Sequence, residues 1–250
     1  MRALYVASRV AHVWGPIGRL DYEGGLYRFC YTRGARQLSG FRPLTGMDDF
    51  EQVYESEDLF PVFSNRLLSP SRPEYEAYLH WGGFDPGHPP DPIALLGVTE
   101  GVRQTDSIEV FPCPTPDAGG GYSNKFFLHG ITWMAPAASD RIARLEAEEQ
   151  LHVMLDPCNP ADPNAVAVRT DSERTMIGYI PRYLARDVSR LLKQSDPQLI
   201  HLVVDRVNRD APLQHRLLCR MRACWPENFQ PFSDEVFRPI PEDVPASYQA

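Results

Sequence analysis

Lysine is almost missing from this 250-residue chain, where two of 25 basic residues are Lys and the rest Arg. Any phosphate or base contact therefore falls to planar guanidinium forks rather than to point-charge ammonium groups. Long apolar runs are missing too, since none approaches the roughly 18 residues of a membrane-spanning helix. The apolar stretch within residues 1–9 is too short for a signal peptide. Cysteine is scarce: Cys30, Cys113, Cys158, Cys219 and Cys224 are odd in number and mostly far apart. That pattern makes no disulfide framework, so a reducing, cytoplasmic setting is expected. The close pair Cys219-x4-Cys224, with His201 or His215 as further donors, falls short of four clustered zinc ligands. Enzyme signatures are lacking as well. There is no G-x4-GK[ST] phosphate loop, no G-x-S-x-G elbow and no H-E-x-x-H. Gly119-Gly120-Gly121 follows no strand and opens no helix, which makes it linker. A non-catalytic protein without metal or cofactor is the expectation.

What is present is ordinary globular composition, 43% hydrophobic and 23% charged, on a length that can bury the cores of two domains. Proline, at 24 residues, is about twice its usual share. The prolines cluster, and the clusters mark boundaries. Residues 112–122 combine three prolines with three glycines, which is linker chemistry. Beyond residue 225, prolines at 226, 231, 239, 241 and 245 forbid regular structure. The expected division is a module at 1–111, a linker at 112–122, a domain at 123–225 and a tail at 226–250. Formal charge is net −6 over residues 1–122, +2 over 123–222 and −4 over 223–250, so the middle segment alone is not acidic.

The first segment reads as mixed α+β. Residues 17–20 and 25–31 bracket a turn and suit a hairpin whose Tyr27, Phe29 and Tyr31 share one face. Short helices are expected at 74–81 and 93–96. In the second segment, strands are expected at 126–131, 151–155, 165–168, 176–180, 199–207 and 213–223. A helix is expected at 139–147 with Ser139 as N-cap. Another starts after Pro181, with Leu184, Val188, Leu191 and Leu192 at i, i+4, i+7 and i+8. Many short strands with two helices in about 100 residues suggest a small β-barrel with helical covers.

The run Leu155-Asp156-Pro157-Cys158-Asn159-Pro160-Ala161-Asp162-Pro163-Asn164-Ala165-Val166-Ala167-Val168, followed by Ile177-Gly178-Tyr179-Ile180-Pro181-Arg182, is similar to the hallmark of the HIRAN domain. The resemblance covers residues 124 to about 222. It implies an OB-like barrel that captures single-stranded DNA at its free 3′ end. Residues 1–111 more weakly resemble the N-terminal subdomain of HipA-type toxins, through residues 17–20, 59–67 and 91–97. In that family the subdomain packs on a kinase, and no kinase domain follows here.

Two Asp, two Asn and three Pro in the nine residues 156–164 make a stiff loop. A carboxylate on such a loop can accept a hydrogen bond from a terminal 3′-hydroxyl and would repel a phosphodiester. The resemblance assigns that role to Asp162, with Asn159 as a neighbouring polar contact; both can equally be turn caps. Trp133 matches a family aromatic that stacks on the terminal base, or is a Trp at a domain seam. Tyr179 is either a base-contacting aromatic or barrel wall. Arg182 opens a line with Arg186, Arg190 and Lys193 that is either a track for the DNA backbone or a solvated helix face. Arg182, at the helix start, is its best candidate contact. Ala161 replaces a common Tyr, and Thr132 a common Arg. The expected function is binding of single-stranded DNA ends in repair or processing. The rival is a protein-interaction or toxin–antitoxin-type module, which the net charge of −8 favours.

Overall fold

A computed structural model describes residues 2–113, 117, 121–194, 199–224, 226, 229–242 and 244. The contacts divide the chain into two compact units, neither of them continuous in sequence. Unit 1 draws on 1–75, 90–113 and the stretch from 232 onward, and unit 2 on 76–89 and 114–231. These units depart from the linear division in two places. Residues 76–89 join unit 2, because Trp81 stacks on His215 and its carbonyl accepts from Asn208 Nδ2 at 3.0 Å. The stretch from 232 joins unit 1, because Phe232 and Phe237 pack on Tyr5. Of the expected linker, 114–116 and 118–120 lie outside the described residues, while Pro112 ends one strand and Gly121 begins the next.

Unit 1 holds strands β1 (Arg2–Val10), β2 (Val13–Glu23), β3 (Leu26–Tyr31), β4 (Tyr54–Ser56) and β5 (Ile108–Pro112) in one antiparallel sheet of order β4-β3-β2-β1-β5. The expected β2–β3 hairpin is present, turning through Gly24 and Gly25 at positive φ, as a tight hairpin turn requires. Alternation sends Leu4, Val6, Leu20, Phe29 and Tyr31 to one face. There they share a buried core with Phe63, Ile93 and Leu96. The opposite face carries Tyr5, Arg19, Asp21, Cys30 and Phe111, all buried. Helices α1 (Arg33–Gln37), α2 (Pro61–Ser64) and α4 (Pro92–Thr99) belong to this unit, and α3 (Tyr75–Trp81) leads into unit 2. Asp91 caps α4 by accepting from the Ala94 N–H at 2.9 Å, with Pro92 at the first helical position.

Unit 2 is a six-stranded antiparallel sheet of β6 (Gly121–Phe127), β7 (Gln150–Leu155), β8 (Val166–Thr170), β9 (Met176–Tyr179), β10 (Ile200–Val207) and β11 (Leu217–Cys224). Its order is β6-β11-β10-β7-β8-β9, with α5 (Pro136–Ala143) and α6 (Arg182–Gln194) outside the sheet. The sheet curls until its two edges meet. His129, just past β6, exchanges both backbone hydrogen bonds with Tyr179 at the end of β9, each 2.9 Å. Gly178 permits that approach, since a Cβ there would stand 2.5 Å from the His129 carbonyl oxygen. The mixed α+β class and an OB-like barrel agree with the sequence reading.

Three local expectations are corrected. Helix α5 starts at Pro136 rather than Ser139, because a proline without an N–H suits the first turn, and no side chain caps it. Ile142 and Leu145 are nonetheless buried. The strand expected at 126–131 spans 121–127, and Gly130 at φ +71 then turns the chain into a 3-10 turn at Ile131–Trp133. Residues 213–215 form another 3-10 turn after Pro212, so β11 begins at Leu217. Among the described residues no helix is long and apolar enough to cross a membrane.

Candidate nucleic-acid interface

The loop between β7 and β8 is held from inside. Its ends are tied by the Asp156 N–H donating to the Ala165 carbonyl at 2.9 Å. Asn159 Oδ1 accepts from the N–H groups of Ala161 and Asp162 at 3.0 and 3.2 Å, and its Nδ2 donates to Asp156 Oδ2 at 3.1 Å. The Asn159 amide is thus spent on the loop, which makes it a frame residue. Asp162 divides its carboxylate. Oδ1 accepts from the Asn164 N–H at 2.9 Å, and Oδ2 lies 3.3 Å from Arg182 Nε. One oxygen fixes the turn, as the capping reading expects. The other stands at the rim beside a cation, with lone pairs to spare.

Tyr179 ties this loop to the barrel's closing bridge. Its hydroxyl donates to Asp156 Oδ2 at 2.9 Å while its backbone pairs with His129. Burial first, then the Asp156 carboxylate as acceptor and neighbouring charge, push the Tyr179 hydroxyl above its ordinary pKa. The group therefore remains a proton donor at neutral pH. Gly130 faces the same ring, and a Cβ at Gly130 would lie 3.0 Å from Tyr179 Cδ2. Three residues on, Trp133 donates its backbone N–H to the Gly130 carbonyl at 3.0 Å and is itself 85% exposed. An indole this open is available to a ligand, and aromatic side chains are platforms on which bases stack.

Asn159, Asp162, Tyr179 and Arg182 are linked by direct contacts, and Trp133 is placed through Gly130. Asp156 is the residue that sequence reasoning left out, although it holds both Tyr179 and Asn159. Its signal was present as the Asx that opens the stiff loop, but the partner across two strands was not readable. Of the proposed track on α6, Arg190 lies 3.7 Å from Asp187 in an i,i+3 pair, and Arg186 is exposed. Arg182 reaches the loop through Asp162. Among the described residues no three His, Cys, Asp or Glu cluster so as to hold a metal ion.

Comparison with known proteins places a family on this geometry. The HIRAN domain family model matches residues 124–222. The crystal structure of the HIRAN domain of human HLTF is similar at 19% identity and TM-score 0.32, covering 42% of this chain and 80% of that one. A crystal structure of a Lactobacillus plantarum protein is similar at 15% identity and TM-score 0.33, covering 42% of this chain and 99% of that one. No curated protein matches. The HipA-type resemblance of residues 1–111 gains no support from these matches. The similarity is thus to the HIRAN domain, and it spans residues 124–222 of this chain.

Proposed function

We propose that this HIRAN domain binds single-stranded DNA at a free 3′ end, in the setting of DNA repair or processing. HIRAN domains are in general DNA-binding modules, and the 3′-end preference is the finer reading. The observation that carries it is the split carboxylate of Asp162, one oxygen locked into the turn and the other at the rim beside Arg182. A 3′-hydroxyl donates to the rim oxygen as a charge-assisted bond. Arg182 takes the adjoining internucleotide phosphate, and Trp133 stacks on the terminal base. A 3′-phosphate in the same place sets two anions together where a hydroxyl would have donated. Asn159 and Asp156 hold the loop and Tyr179 in position and do not touch the strand.

Fluorescence-anisotropy titration with oligonucleotides that differ only in a free or phosphorylated 3′ end tests this reading. Tighter binding of the hydroxyl end is expected. Few cations surround the loop, so few counterions are released, and the log K against log[salt] slope should be about −1 to −3. The chain's net charge of −8 favours a protein partner instead. Absence of oligonucleotide binding at low salt is the result that would favour that second reading.

A further inference from the structure

Unit 1 is completed by a segment that the chain supplies only after it has traversed unit 2. Phe232 lies with its ring centroid 5.4 Å from that of Tyr5 and 5.6 Å from that of Phe111, and Phe237 lies 4.9 Å from Tyr5. Glu235 forms an ion pair with Arg33. Two backbone bonds then join the segment to the end of β3. The Arg33 N–H donates to the Arg238 carbonyl at 2.8 Å, and the Ile240 N–H donates to the Tyr31 carbonyl at 2.9 Å, with Thr32 opposite Pro239. Ile240 enters the core. Gly34 lies beneath, where a Cβ would stand 2.1 Å from the Pro16 carbonyl oxygen and 3.0 Å from that of Val236. Aromatic pockets, a cation for an acidic residue and a short β-pairing form the contact set by which folded domains capture extended peptides.

The resident segment fits at a cost. Phe232 sits at φ +52, a left-handed conformation that an aromatic side chain disfavours, at the point where the segment joins unit 1. Thr32 is fully buried under Pro239's pairing, and among the described residues its hydroxyl has no hydrogen-bond partner. A peptide arriving from another molecule carries no tether and need not adopt the strained φ.

We infer that this face of unit 1 is a peptide-docking surface held by the chain's own residues 232–240. The partner it fits is a protein segment with aromatic side chains five residues apart, an acidic residue between them and an aliphatic residue three beyond. In the covalent chain the resident segment competes at the high effective concentration that a tether provides, so docking in trans requires its displacement.

The test uses the full chain with a specific protease site inserted after Gln230, cleaved once folded. A fluorescently labelled synthetic peptide of residues 229–242 is then added and gel filtration is run. Retention of the cleaved segment without competitor, and its replacement by excess labelled peptide, are expected. A Phe237→Ala peptide should replace it at least tenfold less well. In the chain carrying Arg33→Glu, the native peptide should compete poorly and a Glu235→Arg peptide should recover much of the loss. The inference is overturned if the cleaved segment leaves on its own while the rest stays folded. It is overturned equally if a hundredfold excess of peptide replaces nothing, because the segment is then permanent core. An insertion that prevents folding leaves the charge-reversal arm in the uncut chain. There the Arg33→Glu variant should capture the Glu235→Arg peptide, and failure to do so overturns the inference.

Discussion

Unit 1 buries both faces of its sheet, whereas the sheet of unit 2 curls until the stretch after β6 meets β9, and carries its polar cluster at a rim. In unit 1 an ion pair is consumed in burial. Arg19 and Asp21 pair at 3.1 Å with side chains 3% exposed, and Arg19 lies over the Tyr5 ring. In unit 2 the polar residues of the 156–164 loop bond to one another while leaving a carboxylate, a guanidinium and an indole in reach of solvent. The Arg19–Asp21 pair is charge used for architecture, and the loop residues offer charge available to a ligand. Substitutions in the two regions should accordingly fail in different ways.

Arg19→Leu should have the largest effect, because it leaves Asp21 buried without its cation. A loss of about 3–5 kcal/mol in denaturant unfolding is expected. Replacing both residues by Leu should recover most of it. A single-variant cost under about 1 kcal/mol would mean that this face is hydrated, and the contrast between the units would dissolve. Next in size is Gly178→Ala, whose Cβ would meet the His129 oxygen at 2.5 Å and Leu128 Cδ2 at 2.8 Å. A loss of about 1–3 kcal/mol is expected, with faster hydrogen exchange at the His129 and Tyr179 amides. Unchanged exchange at those two amides would show that the bridge does not close the barrel.

The sequence made some of this legible for identifiable reasons. The β2–β3 hairpin follows from aromatic alternation around Gly24-Gly25, and α6 from leucine spacing at 3.6 residues per turn. The 156–164 loop announces itself through Asx and Pro chemistry that needs no distant partner. The Asp156–Tyr179 hydrogen bond was not legible, because it depends on the β8–β9 register, which shifts between Val168 and Arg169. The docking of Phe232 and Phe237 was hidden for a similar reason. The prolines led to the expectation of no regular structure there, yet Glu235–Phe237 form a 3-10 turn and Pro239 bridges to Thr32, and composition does not say which face such a segment will cover. Helix α5 was misplaced by three residues because a serine cap and a proline first turn compete for the same role.

Smaller effects sharpen the unit 2 side of the comparison. Trp133→Ala should weaken oligonucleotide binding by about 2 kcal/mol and leave the melting temperature unchanged, because the indole is exposed. It should weaken hydroxyl and phosphate ends alike, since stacking ignores the terminal group. A falling melting temperature would instead mark the indole as structural. Tyr179→Phe should cost about 1 kcal/mol of stability through the lost bond to Asp156. Thermal unfolding of the pair with Asp156→Asn should show non-additive losses; strict additivity would deny the link between loop and bridge.

The central claim rests on the rim oxygen of Asp162 and is tested most directly by Asp162→Asn. The amide keeps the side chain's size and an oxygen able to cap Asn164, but removes the charge. The ratio of 3′-hydroxyl to 3′-phosphate affinity, measured for wild type and variant by anisotropy, should shrink toward parity in the variant, because the repulsion of the phosphate goes with the charge. A folded variant with an undiminished ratio would make Asp162 a turn residue only and place end recognition elsewhere.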